Sequence, residues 1–218
     1  ALVLTAGWAS WRAGPRGTAS AREDYDLSSD RDLVAYGISG GYGSGDKSGS
    51  AVAFGDFDDD GYDDLLIGAP QADGTGDNWV DCGEAYMLWG GPSGWVGDAR
   101  NMSAEANVTI RVSDASVGVG GECGSVVASG DLNGDMVLGE PLYANRGRVY
   151  VIFGGPRAGL DGRVLDMTSG DWDVKLRGQQ QGEHAGNHLA VGDIDGDGLD
   201  DVVLGAESYM YGSNPGNN

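Results

Sequence analysis

Three stretches of the chain are copies of one pattern, and that repetition limits the possible fold more than any other feature. Gly49-Ser50-Ala51-Val52-Ala53-Phe54-Gly55-Asp56, Gly124-Ser125-Val126-Val127-Ala128-Ser129-Gly130-Asp131 and Gly186-Asn187-His188-Leu189-Ala190-Val191-Gly192-Asp193 share an opening glycine, an apolar run and a closing Gly-Asp. Each Gly-Asp opens an acidic loop. A second apolar run ending in glycine follows each loop, at Leu65–Gly68, Met136–Gly139 and Val202–Gly205. In two copies a third run comes next, Glu84–Trp89 and Arg148–Phe153, and both close in Gly-Gly-Pro. Short apolar runs bounded by Gly, Asp and Pro read as strands. No segment sustains the 3.6-residue periodicity of a helix. A supersecondary unit that returns along a chain marks a repeat architecture, and short strands joined by glycine turns suit the four-stranded blades of a β-propeller.

Charge narrows the function. The 218 residues carry 13 basic and 34 acidic side chains, a net charge of -21. Such a chain cannot neutralise phosphates, so nucleic acid is excluded as a partner, and anionic lipid is disfavoured for the same reason. No apolar run is long enough to insert directly into a membrane. The 41 glycines follow no Gly-X-Y period and prolines number only 6, which excludes a collagen. The acids are mostly Asp and they cluster. Dense carboxylates repel one another unless cations sit among them, and hard cations prefer carboxylate oxygen.

The clusters have a definite spacing. Asp56-Phe57-Asp58-Asp59-Asp60-Gly61-Tyr62-Asp63-Asp64 and Asp193-Ile194-Asp195-Gly196-Asp197-Gly198-Leu199-Asp200-Asp201 both fit D-x-D-x-D-G-x-x-D. Carboxylates at positions 1, 3 and 5 can converge on one ion, glycine at position 6 permits a sharp turn, and the carbonyl at position 7 then points inward. Calcium takes 6–8 such oxygens, whereas magnesium demands stricter octahedral geometry and keeps its waters. An EF-hand begins alike but closes with an acid at position 12. Here position 12 is Ile67 or Leu204, within an apolar run, so the EF-hand reading fails. The middle loop, Asp131-Leu132-Asn133-Gly134-Asp135, starts correctly and then runs straight into Met136. Aligned from its first residue, it lacks four residues, the turn glycine and closing acid among them. It is either a degenerate loop with weak or no calcium, or a place where a stretch of chain is missing from the sequence.

These repeats resemble FG-GAP repeats, the blades of integrin α-subunit propellers, and also the propeller of glycosylphosphatidylinositol-specific phospholipase D. Phe54-Gly55 and Gly68-Ala69-Pro70 stand where the family name originates, and the likeness covers roughly residues 36 to 207. The resemblance implies an all-β chain of integrin-α-type propeller blades. At this repeat length residues 1–218 hold about three to three and a half blades, part of a larger, seven-bladed propeller. The apolar start at Ala1–Gly7 reads as a strand entered midway, which favours a fragment. Remaining blades, or another chain, would be needed to close the ring, because such repeats bury their faces only against neighbours. The resemblance further implies calcium held by Asp56, Asp58, Asp60, the Tyr62 carbonyl and Asp64, and by Asp193, Asp195, Asp197, the Leu199 carbonyl and Asp201. Asp131, Asn133 and Asp135 are the corresponding candidates of the middle loop.

Cys82 and Cys123 each stand before a glycine that opens a strand. They form one disulfide, closing a loop of about 40 residues worth roughly 3–4 kcal/mol in the chain-entropy model, or they are two unpaired thiols. Asn101-Met102-Ser103 and Asn107-Val108-Thr109 are N-glycosylation sequons. Calcium loops, sequons and a disulfide agree on an extracellular glycoprotein, secreted or at the cell surface. Enzyme signals are weak: Gly37-Ile38-Ser39-Gly40-Gly41 matches G-x-S-x-G, but a nucleophile elbow needs a strand-to-helix turn. The expected function is a calcium-stabilised adhesion, scaffold or interaction module with an extracellular protein or glycan ligand and no catalytic residues. The alternatives are the non-catalytic propeller of a secreted hydrolase such as a GPI-specific phospholipase D, and a lectin-like, glycan-binding propeller.

Overall fold

A computed structural model describes residues 2–4, 33–36, 45–73, 81–93, 98–112, 120–130 and 134–207. The Gly37–Gly41 motif lies outside them. The described chain is almost entirely β, with four sheets that follow one another along the sequence. The first contains β1 (Leu2–Leu4), antiparallel to β2 (Leu33–Tyr36). The second is an antiparallel meander of β3 (Ala51–Gly55), β4 (Asp64–Ala69), β5 (Glu84–Leu88) and β7 (Val108–Arg111). The third repeats it with β8 (Val126–Gly130), β9 (Asp135–Glu140), β10 (Arg148–Ile152) and β12 (Val174–Arg177). The fourth shows its two inner strands, β13 (Ala185–Gly192) and β14 (Asp201–Ala206). These are blades of the expected kind, two of them complete.

Two short strands break the simple repeat. After its third strand each complete blade sends the chain back to the preceding sheet. There β6 (Asp98–Asn101) pairs parallel with β2, and β11 (Val164–Asp166) pairs parallel with β7. Single-turn helices lie beside these excursions, α1 (Met102–Glu105) after β6 and α2 (Arg157–Leu160) before β11. The chain then returns as the fourth strand of its own blade. Neighbouring sheets are therefore joined by backbone hydrogen bonds as well as by packing. No helix among the described residues is long and apolar enough to cross a membrane.

The hydrophobic layers explain the alternation in the apolar runs. Leu65 and Ile67 of β4 pack with Leu33 and Ala35 of the first sheet, while Leu66 between them packs with Met136 and Leu138 of the third. Val137 of β9, between those two, joins Val202 and Leu204 of β14. Successive side chains on a strand point to opposite faces, so a strand sandwiched between two sheets is apolar throughout. All six residues of β4 and of β9 are buried accordingly. Each fully buried Leu or Ile stabilises the stack by about 1.5–3 kcal/mol. Close approach between sheets needs glycine. A Cβ on Gly68 would collide with the carbonyl of Gly124, and one on Gly139 with the carbonyl of Gly186. The contact recurs between successive blade pairs.

Cys82 and Cys123 are not joined by the expected disulfide in this structure, and the Cys123 N–H donates to the Cys82 carbonyl at 3.0 Å. Cys123 lies wholly within the core between the second and third sheets, and burial pushes its thiol pKa well up. It acts there as a small apolar side chain, whereas Cys82 stands outside that cluster.

Candidate metal centres

The two nine-residue loops join the inner strands of the second and fourth sheets, and most of their internal hydrogen bonds match position by position; a Gly196 N–H bond to Asp193 at 2.7 Å is particular to the second loop. The position-1 carboxylate takes N–H groups from positions 5 and 6: Asp60 and Gly61 to Asp56 at 3.0 and 2.8 Å, Asp197 and Gly198 to Asp193 at 3.1 and 3.0 Å. Position 3 takes the N–H of position 5 (3.2 Å at Asp58, 3.1 Å at Asp195). Position 5 takes that of position 7 (3.0 Å from Tyr62, 2.9 Å from Leu199). The closing Asp takes that of position 2 (2.9 Å from Phe57 to Asp64, 3.1 Å from Ile194 to Asp201). Gly61 and Gly198, at φ +86° and +88°, make the turn that the pattern requires.

Backbone donors thus fix one set of carboxylate lone pairs and leave the others to converge. Ligand oxygens of Asp56, Asp58 and Asp64 lie within 4.8 Å of one another, as do those of Asp193, Asp195 and Asp197. A carboxylate accepts at two oxygens with about four sites in all, so a hydrogen bond and an ion can share it. The donor set is all hard oxygen, which fits calcium. The loops differ in setting. Asp58 and Asp64 are buried, whereas Asp193, Asp195, Asp197, Leu199 and Asp201 are exposed. Burial pushes the Asp64 carboxyl up to about 6 despite the Gly90 and Phe57 N–H groups that favour its anion, and the Asp58 and Asp60 charges add to the rise. A bound cation would act in the opposite direction.

The middle loop departs from the sequence alignment. Gly130 pairs with Asp135 just as Gly55 pairs with Asp64 and Gly192 with Asp201. Asp135 is therefore the closing acid and not a fifth-position ligand. By this pairing the residues absent relative to the first loop are interior ones. Asp131 and Asn133 lie outside the described residues. Asp135 keeps the other task of a closing acid, accepting the Gly154 N–H at 3.1 Å as Asp64 accepts that of Gly90 at 2.6 Å. Each bond ties the Gly-Gly-Pro end of a third strand to the second strand of the same blade.

The sequons also separate. Asn101 is exposed at the end of β6. Asn107 is half-buried, with its Oδ1 accepting the Trp89 N–H at 2.9 Å and its Nδ2 facing Asp161 Oδ1 at 3.4 Å. We expect peptide mapping to place glycan on Asn101 and to find Asn107 bare. Asn107→Ala should lose about 1–3 kcal/mol in denaturant unfolding by orphaning the Trp89 donor, against less than about 0.5 kcal/mol for Asn101→Gln. Equal costs would contradict this assignment.

Comparison with known proteins agrees with this geometry. The FG-GAP repeat family matches residues 48–80 and 185–218, the two spans that hold the nine-residue loops. The chain carries FG-GAP repeats. Phosphatidylinositol-glycan-specific phospholipase D of Rattus norvegicus is 31% identical over 149 residues, 66% of this chain and 17% of that protein. Integrin alpha-5 of Xenopus laevis is 32% identical over 168 residues, 72% of this chain and 14% of that protein. The chain thus spans less than a fifth of either relative. One of these FG-GAP relatives is an enzyme and the other an integrin subunit, so the repeats themselves do not decide between catalysis and adhesion.

One feature of the first loop has no signal in the sequence. Arg157 of α2 places its Nε 2.5 Å from Asp58 Oδ2 and a terminal nitrogen 2.9 Å from Asp60 Oδ2. The partners are nearly a hundred residues apart in the chain, and only the return of α2 to the second sheet brings them together.

Proposed function

We propose that this chain is part of a calcium-stabilised, extracellular FG-GAP propeller that serves as an adhesion, scaffold or protein-interaction module. The observation that carries the reading is the pair of matching loops, each bringing oxygens of three aspartates within 4.8 Å of one another. Calcium would be held by the aspartates at positions 1, 3, 5 and 9 and the carbonyl at position 7. It would neutralise carboxylates that otherwise repel, locking the inner hairpin of each blade. An ion that binds only the folded state adds about 2.7 kcal/mol per site at a hundredfold excess over its dissociation constant. Thermal melting in millimolar calcium and in chelator tests this: calcium should raise the midpoint, and Asp58→Asn with Asp195→Asn should remove the rise. No shift in the unaltered protein overturns the calcium reading.

An open face supports the need for further blades or another chain. Val203 occupies the third position of β14, as Leu66 does in β4 and Val137 in β9. Those two are fully buried by the following sheet, whereas Val203 is 46% exposed. The extracellular placement rests on the relatives and on the sequons.

The second reading, the non-catalytic propeller of a secreted hydrolase, is favoured by the phospholipase D similarity. Zinc analysis and hydrolase assay of the full-length protein separate the two.

A further inference from the structure

We propose that Arg157 is a built-in counter-cation of the first loop that competes with calcium for Asp58 and Asp60 and so makes the two calcium sites unequal. This rests on the calcium reading above. The guanidinium forks onto Asp58 and Asp60, two of the five expected ligands. It is held in place from other sides as well. A terminal nitrogen reaches the Gly90 carbonyl at 3.4 Å, and the guanidinium carbon lies 5.0 Å from the Trp89 ring centroid. Trp89 is itself fixed by its Nε1–H, which donates to Asp161 Oδ1 at 2.9 Å, at the C-terminal end of α2. Gly155 N–H donates to the Phe57 carbonyl at 2.9 Å, so the segment carrying Arg157 is pinned to the loop that Arg157 neutralises.

The two loops differ in the way this contact dictates. The converging oxygens of the first come from positions 1, 3 and 9, without Asp60, whose outer oxygen is turned to Arg157. In the other loop the position-5 residue, Asp197, is part of the converging set, and no ion pair reaches Asp193, Asp195 or Asp197 among the described residues. Full coordination in the first loop therefore requires Asp60 to leave the guanidinium, with a positive charge remaining nearby. A unit charge beside a divalent ion near the surface weakens binding by about 10- to 100-fold. Arg157 accordingly sets the calcium threshold of the first loop and holds it together when calcium is low.

Calorimetric calcium titration of the full chain tests this. Asp195→Asn disables the exposed loop so that the remaining binding reports the first. In that background Arg157→Gln should tighten calcium binding about 10- to 100-fold and lower the melting temperature in chelator. Arg157→Lys, which keeps the charge but not the fork, should stay within a few fold of the parent affinity. Unchanged or weaker affinity in Arg157→Gln, with circular dichroism like the parent, overturns the proposal and leaves the calcium reading standing. An absence of calcium binding in the unaltered chain and in Arg157→Gln overturns both.

Discussion

Replacing Gly68 by alanine should destabilise the fold by about 3 kcal/mol or more, the upper range for overpacking a close contact, and lower the melting temperature by about 6–12 °C for a chain of this size. The added methyl would meet the carbonyl of Gly124, a backbone atom that cannot swing aside as a side chain can. Relief requires the second and third sheets to separate, which opens the layer containing Leu66, Met136 and Leu138. Gly139→Ala should behave alike, since its methyl would meet the Gly186 carbonyl between the third and fourth sheets. Gly91→Ala is the control: no atom lies within 4 Å of its Cβ position. Urea unfolding of the three variants decides the matter. Equal stability of Gly68→Ala and Gly91→Ala would mean that the sheets are not held at this separation.

Arg148→Met should cost a further large amount, about 3–5 kcal/mol, as expected when one partner of a buried ion pair is removed. Arg148 and Glu140 face each other across β10 and β9, with contacts of 2.8 and 3.1 Å, and both are almost completely buried. Tyr150 donates its hydroxyl to the same Glu140 oxygen at 3.0 Å, and the guanidinium stacks on Tyr143. Burial and the Glu140 charge push the Tyr150 phenol far up, so it remains a donor at any ordinary pH. Removing the guanidinium leaves the Glu140 carboxylate in the core without its counter-charge. The double variant Arg148→Met with Glu140→Leu removes the orphan as well and should recover most of the loss. A double variant no better than the single one would show that the ion pair matters through packing alone.

The periodic parts of this molecule were legible in its sequence. Leu65-Leu66-Ile67 and Met136-Val137-Leu138 read as strands, and they are; the structure adds that both are buried throughout. The D-x-D-x-D-G-x-x-D loops announced convergent carboxylates, and the local N–H bonds that arrange them arise from residues at most seven positions apart. Features made by distant contact were not legible. Asp135 could be aligned with Asp64 only through its pairing with Gly130, because a deletion inside a loop leaves two possible registers. Arg157 is an ordinary residue after Gly-Gly-Pro, and its counterpart after the earlier Gly-Gly-Pro is Ser93. The excursion strands β6 and β11 are three or four residues long and show too little alternation to announce a partner, let alone one in another blade. Cys82 and Cys123 have matching contexts in the sequence, and nothing there tells that Cys123 lies in the core between two sheets.

The loan of β6 and β11 to neighbouring sheets has a consequence during synthesis. A ribosome delivers the chain from the N-terminus, and domains begin to fold as they emerge. The second sheet has its four antiparallel strands once Arg111 is out, but the outer edge of β7 is covered only when Val164–Asp166 arrives. Over the intervening interval that edge presents unpaired N–H and C=O groups, a template for any other strand in reach. The third blade must therefore be largely made before the second is finished. Nascent chains on a crowded polysome are exposed to mispairing for as long as elongation takes to cover that stretch.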